Sequence, residues 1–419
     1  MQTFLGAIMN KTKPRHERHR LINTATAQLL IGEKTLSEIE QLLDGTPFYA
    51  YDRKLIEQRV TQLTQTLPQG ISLHYAIKAN PYPPVVSLLA NLVNGFDVAS
   101  RKEMLLAMQT GMPAANISFA GPGKSKKDLA AAIIAGITLH VESINELNRA
   151  IVIGKKLAML PNIAIRVNPA FELKASGMKM AGGAKQFGID EEELPAILSS
   201  LDPKSVNLRG FHIFTGSQNL NEQAIIDAHQ QTFELALKLM AVSPQPVDYI
   251  NIGGGLGIPY FPGDKSLSLT AIADNLQDQL QHLQKSATGV EVIMELGRYL
   301  VGEAGVYVSK IVDKKTSRNT TYLICDGGLH HHLANSGNFG QVLRKNFPVL
   351  IGNKLTSTQA EEVDIVGPLC TPLDVLGSKI ELPKAEVGDY VVILQSGAYG
   401  ATASPQAFLS QPGLAEILL

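Results

Sequence analysis

The sequence holds no tryptophan, only two cysteines and almost no net charge, and each scarcity removes a class of function. Cys325 and Cys370 cannot build a disulfide framework, which excludes a bridge-stapled secreted fold and leaves a reducing cytoplasm as the expected setting. The 37 basic and 38 acidic side chains give a formal charge of −1 with no long run of either sign. That pattern carries neither a nucleic-acid footprint nor a membrane-surface patch. No apolar stretch is long enough to span a bilayer. The opening MQTFLGAIMNKTKPRHERHR lacks both a basic region before its short apolar run and a small-residue cleavage site. These exclusions leave a soluble globular chain of 419 residues, 45% hydrophobic, long enough for two domains.

What the chain does have is order. From residue 71, short β-rich runs alternate with amphipathic stretches such as SRKEMLLAMQTG and SKKDLAAAIIAG. The runs are ISLHYAIK (71–78), GFDVAS (95–100), ISFAGP (117–122), ITLHVES (137–143), IAIRVNP (163–169), LRGFHIFTG (208–216), YINIGGG (249–255) and VEVIMELGR (290–298). Alternation of this kind predicts parallel βα units, and eight of them close a (β/α)₈ TIM-like barrel, an α/β fold. After about residue 305 the long helices stop, and GVYVSKIVDKK, TTYLICDGG, EEVDIVGP and DYVVILQSGAYG predict a C-terminal antiparallel β domain. The expected organisation is a flexible terminus over 1–24 and a segment over 25–51 whose TPFYAYD strand joins the β domain. A barrel over 52–304 and the β domain over 305–419 follow.

Polar residues and glycines gather at the C-terminal ends of the eight runs: Lys78, Ser100, Gly121, Glu142, Asn168, Ser217, Gly253 to Gly255, Glu295 and Arg298. In a barrel these ends meet on one face, the face where active sites lie. A lysine closing an apolar strand is therefore aimed into a site. In NIGGGLGIPY, three successive glycines free backbone N–H groups to approach a phosphate, although alone they fit a tight turn equally well. In MELGRYL, Glu295 and Arg298 alone read as a loop ion pair; beside a phosphate loop, Arg298 reinforces the anion site and Glu295 can hold a proton on a heteroaromatic nitrogen. With these neighbours, Lys78 meets the needs of covalent attachment to pyridoxal 5'-phosphate, its pKa expected to be lowered by desolvation and nearby cations. Cys370, in the Gly/Pro-framed GPLCTPLD, is a candidate proton donor, whereas Cys325 reads as a buried hydrophobe. Glycines frame Tyr399 in SGAYG. The run His330 to His332 would alternate faces on a strand, which is poor zinc geometry, so no metal is expected.

Taken in order, YAIKAN, FDVAS, IRVNP, GSQ, NIGGGLG, ELGRYL, GPLC and GAYG resemble the fold-type III pyridoxal phosphate decarboxylases, the ornithine/diaminopimelate decarboxylase group, over residues 46 to 415. Within that group FAGPGKS, SGMKM, QFGID, DGGLHHHLANSGNFGQV and VGPLCTPLD are most similar to the decarboxylases of exosortase A and exopolysaccharide clusters. They are similar also to the butirosin-pathway enzyme that acts on a glutamyl group held by an acyl carrier protein. The resemblance implies a barrel of the alanine racemase type and a homodimer with shared active sites. It implies that Lys78 forms the Schiff base and that Ser217, Gly253, Gly254, Gly255, Gly297, Arg298 and Tyr399 surround the phosphate. Glu295 would meet the pyridine nitrogen, Asp97 and Arg166 would support the ring, and Cys370 would reprotonate the product from the other subunit. Thr371, Asp374, His331 and Arg344 are candidate substrate contacts.

The chain departs from the group's pattern at two positions. Phe214 stands where many members stack a histidine on the ring, with His212 two residues earlier, and Thr371 replaces the acid that contacts a distal amine. The expected activity is loss of the α-carboxylate from an amino acid or a carrier-bound aminoacyl group. A free diamino acid as substrate, racemisation, and non-catalytic cofactor binding stand as alternatives. The long loop AFELKASGMKMAGGAKQFGID (170–190) is expected to gate the site or to bind an extended substrate.

Overall fold

The computed structural model describes residues 16, 19–174, 177–337 and 345–419. Eight parallel strands close a barrel: β2 (Ile71–Ala76), β3 (Gly95–Val98), β4 (Ile117–Phe119), β5 (Thr138–Val141), β6 (Asn162–Asn168), β9 (Asn207–Ile213), β11 (Tyr249–Asn251) and β12 (Glu291–Leu296). They follow β1 (Phe48–Tyr51), and between β6 and β11 come the two-residue strands β7 (Met178–Lys179), β8 (Ile189–Asp190) and β10 (Gly216–Ser217). β12 pairs with β2 through Val292 to Leu296 against Ile71 to Tyr75, which completes the ring. Burial on both faces explains why these segments read as near-continuous apolar runs rather than alternating ones.

Helices α1 (Leu36–Leu43), α2 (Arg53–Thr66), α3 (Pro83–Leu89), α4 (Arg101–Gln109), α5 (Lys126–Ala135) and α6 (Ile144–Leu157) precede or interleave the first strands. Then come α7 (Leu194–Ser200), α8 (Glu222–Ala241), α9 (Thr270–Ser286) and α10 (Arg298–Val301). Ser100 and Ser143, just past β3 and β5, and Ser125, farther along the β4–α5 loop, accept the N–H of the third helical residue, so each of these βα turns starts its helix with a side-chain cap. Ser100 is thereby committed to α4.

The second sheet contains β13 (Gly305–Ser317), β14 (Thr320–Cys325), β15 (Val349–Ile351), β16 (Ala360–Val366), β17 (Val375–Pro383), β18 (Tyr390–Ile393) and β19 (Ala415–Leu418). The long β13 takes β1 and β18 on its first half and β14 on its second, all antiparallel; β14 with β16, and β1 with β19, are parallel. One hydrophobic core runs from the barrel into this sheet, joining Tyr75 and Met294 to Tyr307 and Ile393. A second core packs Leu21, Leu29, Ile31, Leu36 and Ile39 on Phe48, Val306 and Val392. The N-terminal segment is thus held on the β sheet from Leu21 onward, three residues before the end of the span expected to be flexible. No described helix is long and apolar enough to cross a membrane.

Candidate active site

Lys78 stands on a 3-10 turn, Ile77–Ala79, that begins where β2 ends, rather than as the last residue of the strand. Ile77 and Ala79 are buried, which fixes the turn and leaves the Lys78 side chain 42% exposed in a cleft. Its walls include Phe214, Ser217, Gly255, Glu295, Gly297, Arg298 and Tyr399.

Glu295, on β12, is 217 residues away in sequence yet places Oε1 3.3 Å from Lys78 Nζ. This contact reverses one expectation. Burial is the strongest influence and works to lower the Lys78 ammonium, but the Glu295 carboxylate, joined by Tyr399 and Asp97, holds the group above its ordinary value. Burial likewise works to raise Glu295, and Lys78, followed by His212, overcomes it and keeps the carboxyl well below the usual range. In both groups opposite charge and hydrogen bonding set the sign against burial.

The remaining side chains divide between the two ends of the cleft. Arg298 donates from Nη1 to the Tyr260 hydroxyl at 2.8 Å, and its guanidinium lies 4.7 Å from the Tyr399 ring centroid. Tyr399 adopts φ +54° and donates its N–H to the Ala79 carbonyl, which ties the SGAYG turn to the Lys78 turn. At the other end Arg166 pairs with Glu142 at 3.0 Å, and its guanidinium lies 5.9 Å from the Phe214 ring centroid. Asp97 accepts from the Ser118 hydroxyl and lies 3.6 Å from His74; burial, then the Glu295 charge, push its carboxyl up.

The glycines have steric reasons. Gly253 has φ +68° and Gly255 +98°, conformations that strain any L side chain. A Cβ on Gly253 would come 2.8 Å from the Phe214 ring, and one on Gly254 would stand 2.0 Å from the Glu295 carbonyl oxygen. Gly254→Ala is therefore expected to lower Tm through a loss of about 1–3 kcal/mol from overpacking and to weaken cofactor retention. Unchanged thermal melting and cofactor stoichiometry would contradict that steric reading.

The cleft fits a pyridoxal group on features of its own. Arg298 Nε is a buried polar atom without a hydrogen-bond partner, able to meet an anion, and Glu295 Oε2, buried beside only His212 Nε2 at 3.4 Å, has capacity left to receive a ring N–H. The Lys78 amine shares the cleft with both, 3.3 Å from Glu295 Oε1.

Several expected contacts lie elsewhere. The run His330 to His332 forms a turn, with the N–H groups of His331 and His332 both donating to the Gly328 carbonyl, so strand alternation does not apply to it. His331 is 1% exposed, its ring shared between the Tyr307 hydroxyl and the Pro412 carbonyl, and burial pushes it down to about 4. It is a core residue rather than a substrate contact. Asp374 is buried too, and its two oxygens accept the N–H groups of Leu329 and Leu369, so it braces the loop. Thr371 Oγ1 accepts the Leu373 N–H. Cys370 is exposed, and among the described residues it does not line the Lys78 cleft of its own chain. Arg344 lies outside the described residues.

Sequence reasoning passed over the layer beneath the cleft. His212 Nε2 lies 3.4 Å from Glu295 Oε2, its ring centroid is 4.3 Å from that of His140, and His140 Nε2 meets the Tyr249 hydroxyl at 2.9 Å. Burial holds His140 well below its ordinary value, hence neutral. The central position of His140 in ITLHVES was the available signal. Tyr260, the partner of Arg298, closes the very GGGLGIPY stretch that drew attention to the glycines. The 170–190 loop reaches the site as well, because β7 pairs antiparallel with β10 at Gly216 and Ser217.

Residues 53–302 match the family model described as pyridoxal-dependent decarboxylase, pyridoxal binding domain. The chain is 36% identical to the L-glutamyl-[BtrI acyl-carrier protein] decarboxylase of Niallia circulans, over 89% of this chain and 88% of that one. It is 31% identical to the diaminopimelate decarboxylase of Aquifex aeolicus, over 94% and 90%. The crystal structure of diaminopimelate decarboxylase from Helicobacter pylori complexed with L-lysine superposes with a TM-score of 0.81 at 29% identity, covering 91% of this chain and 93% of that one. The chain belongs to the pyridoxal-dependent decarboxylases.

Proposed function

We propose that the protein removes the α-carboxylate of an aminoacyl substrate presented on an acyl carrier protein, and that it works as a cytoplasmic homodimer. The observation that carries the substrate reading is a missing carboxylate. The loop around Cys370 has Thr371 in place of an acid, and its one acid, Asp374, is occupied by the amides of Leu329 and Leu369. Nothing in that loop is free to hold the distal ammonium of a diamino acid. The likeness to a decarboxylase named for a carrier-bound glutamyl group supports the same reading.

Bound in the cleft, pyridoxal phosphate supplies an aldehyde for amines and a protonated ring that accepts the electron pair released with CO₂. Lys78 Nζ would be the amine that holds the group covalently and would give way to the amine of the substrate. Glu295 keeps a proton on the ring nitrogen through its negative charge. Arg298, Tyr399, Ser217 and Gly255 hold the phosphate end, while Asp97 and Arg166 fix the opposite flank. Phe214 offers an apolar face that shields the ring but carries no charge. Cys370 delivers a proton to the carbon that CO₂ has left, and it does so from a second copy, since the loop bearing it stands exposed away from its own cleft, with Leu373 60% exposed beside it.

The test is CO₂ release by the cofactor-loaded protein, offered free amino acids in one series and glutamyl and related groups on an acyl carrier protein in another. Turnover confined to the carrier-bound series is the expected result. Efficient turnover of free diaminopimelate, lysine or ornithine would overturn the substrate assignment.

A further inference from the structure

The flank of the barrel formed by residues 99–160 carries eight basic and four acidic residues, although the whole chain has a net charge of −1. The four acids are all turned to internal use. Glu103 accepts the Ala99 N–H, Asp128 caps Ser125, Glu142 pairs with Arg166, and Glu146 pairs with Lys124. Arg101, Lys102, Lys126 and Lys127 remain exposed in the first turns of α4 and α5. Arg101 reaches Asp128 only at 4.0 Å, and among the described residues no acid lies within ion-pair distance of the three lysines. The outward charge of this flank has one sign.

Stability does not account for that placement. A helix macrodipole favours acids in the first turn and disfavours cations there. By contrast Lys155 and Lys156, in the last turn of α6, sit where the dipole favours them. The four cations stand on the face that matters for substrate, because α4 and α5 begin where β3 and β4 end, at the catalytic mouth of the barrel. β3, whose end opens the α4 turn, pairs in parallel with β2, whose end carries the Lys78 turn, which places this rim beside the active site. The connecting loops are open there: Ala99, Ser100, Pro122 and Gly123 are exposed. An apolar strip continues the patch, since Arg101, Leu105 and Met108 share one face of α4, with Leu105 50% and Met108 39% exposed.

We propose that the rim made by the first turns of α4 and α5, with Arg101, Lys102, Lys126, Lys127 and the Leu105–Met108 strip, docks a small acidic carrier protein that presents the aminoacyl group to Lys78. The inference rests on the carrier-bound reading of the substrate and adds to it the surface and the chemistry of the partner. Single-signed charge around an open mouth accelerates encounter with an oppositely charged partner and makes it salt-sensitive. The exposed leucine and methionine supply the apolar contact that charge alone lacks.

The experiment compares the holoenzyme with Lys102→Glu/Lys126→Glu/Lys127→Glu on two probes, glutamyl-loaded acyl carrier protein and the glutamyl thioester of pantetheine. A Lys155→Glu/Lys156→Glu variant, whose charge change has the same sign and is two units smaller, is the control at the far end of the barrel. The expected result is a KM for the carrier-bound probe raised by about tenfold or more, kcat held within about twofold, and unchanged constants for the thioester. Added salt should lower wild-type kcat/KM on the carrier toward that of the triple variant, and the control should match wild type. An unchanged carrier KM would overturn the docking surface while leaving the substrate reading intact. Equal losses on both probes would place the lysines in the site or in folding. A change of mass by light scattering in the triple variant would make the rim an interface between copies. Wild-type protein that turns over free amino acids and neither probe would instead overturn the carrier-bound reading itself.

Discussion

Replacing Lys78 with alanine is expected to leave a folded protein that keeps no covalent cofactor and releases CO₂ about 10³- to 10⁶-fold more slowly, the scale of loss when a covalent nucleophile is removed. Folding should survive because the packing at this turn belongs to Ile77 and Ala79, both buried, while the lysine side chain stands 42% exposed. The loss is chemical, since no other amine lines the cleft among the described residues. Borohydride reduction followed by mass spectrometry reads it directly: wild type gains the mass of the reduced cofactor at Lys78, and the variant gains none. A retained adduct would sink the assignment.

The same substitution has a pH signature in the cofactor-free protein. Without Lys78, burial acts on Glu295 with its principal counterweight gone, and the carboxyl moves up from its depressed position. His212 and His140 still act on it, so it is less depressed than in wild type, and a less depressed carboxyl contributes less of the stability that a low folded pKa provides as pH rises above it. The Tm deficit of Lys78→Ala against wild type should therefore widen from acidic toward neutral pH. A deficit independent of pH would mean that Lys78 does not hold Glu295 ionised.

The barrel was legible because its strands are buried on both faces, so that each apolar run ends at a sharp change to a polar residue or a glycine. Lys78 stood out for that reason, as did Glu295 with Arg298. The sign of the Lys78 pKa was not legible, because it depends on a distance of 3.3 Å to a carboxylate 217 residues away. The same holds for the His212–His140–Tyr249 layer, whose members come from three strands that only barrel closure brings together. Asp374 misled because loop position says nothing about side-chain direction. Gly328 and Gly367 leave the room into which it turns: a Cβ on either would stand 2.3 or 2.4 Å from its oxygens. The histidine run misled for a related reason, since an alternation argument needs a strand and the Gly328 carbonyl draws that run into a turn.

Glu295→Gln is expected to move two observables in opposite directions, which separates its charge from its shape. Turnover should fall by about 10²- to 10³-fold, the usual cost of removing one preorganised electrostatic partner. An amide has no negative charge with which to hold a proton on the ring nitrogen. Cofactor loading should become easier at lower pH. In wild type the Glu295 carboxylate holds the Lys78 ammonium above its ordinary value, and Nζ must shed that proton before it can attack an aldehyde. In the variant burial acts on Lys78 with that opposition gone and lowers it, so the midpoint of the loading-rate profile should shift to lower pH. The near-isosteric amide keeps the contacts with Lys78 Nζ at 3.3 Å and His212 Nε2 at 3.4 Å geometrically available, so a general collapse of the site is not expected. Stopped-flow loading across pH, set beside steady-state CO₂ release, reads both effects on one preparation. Slower turnover with an unshifted loading profile would confine Glu295 to the ring nitrogen and remove it as the group that governs the Lys78 proton. Faster loading with undiminished turnover would leave the ring nitrogen without its assigned partner.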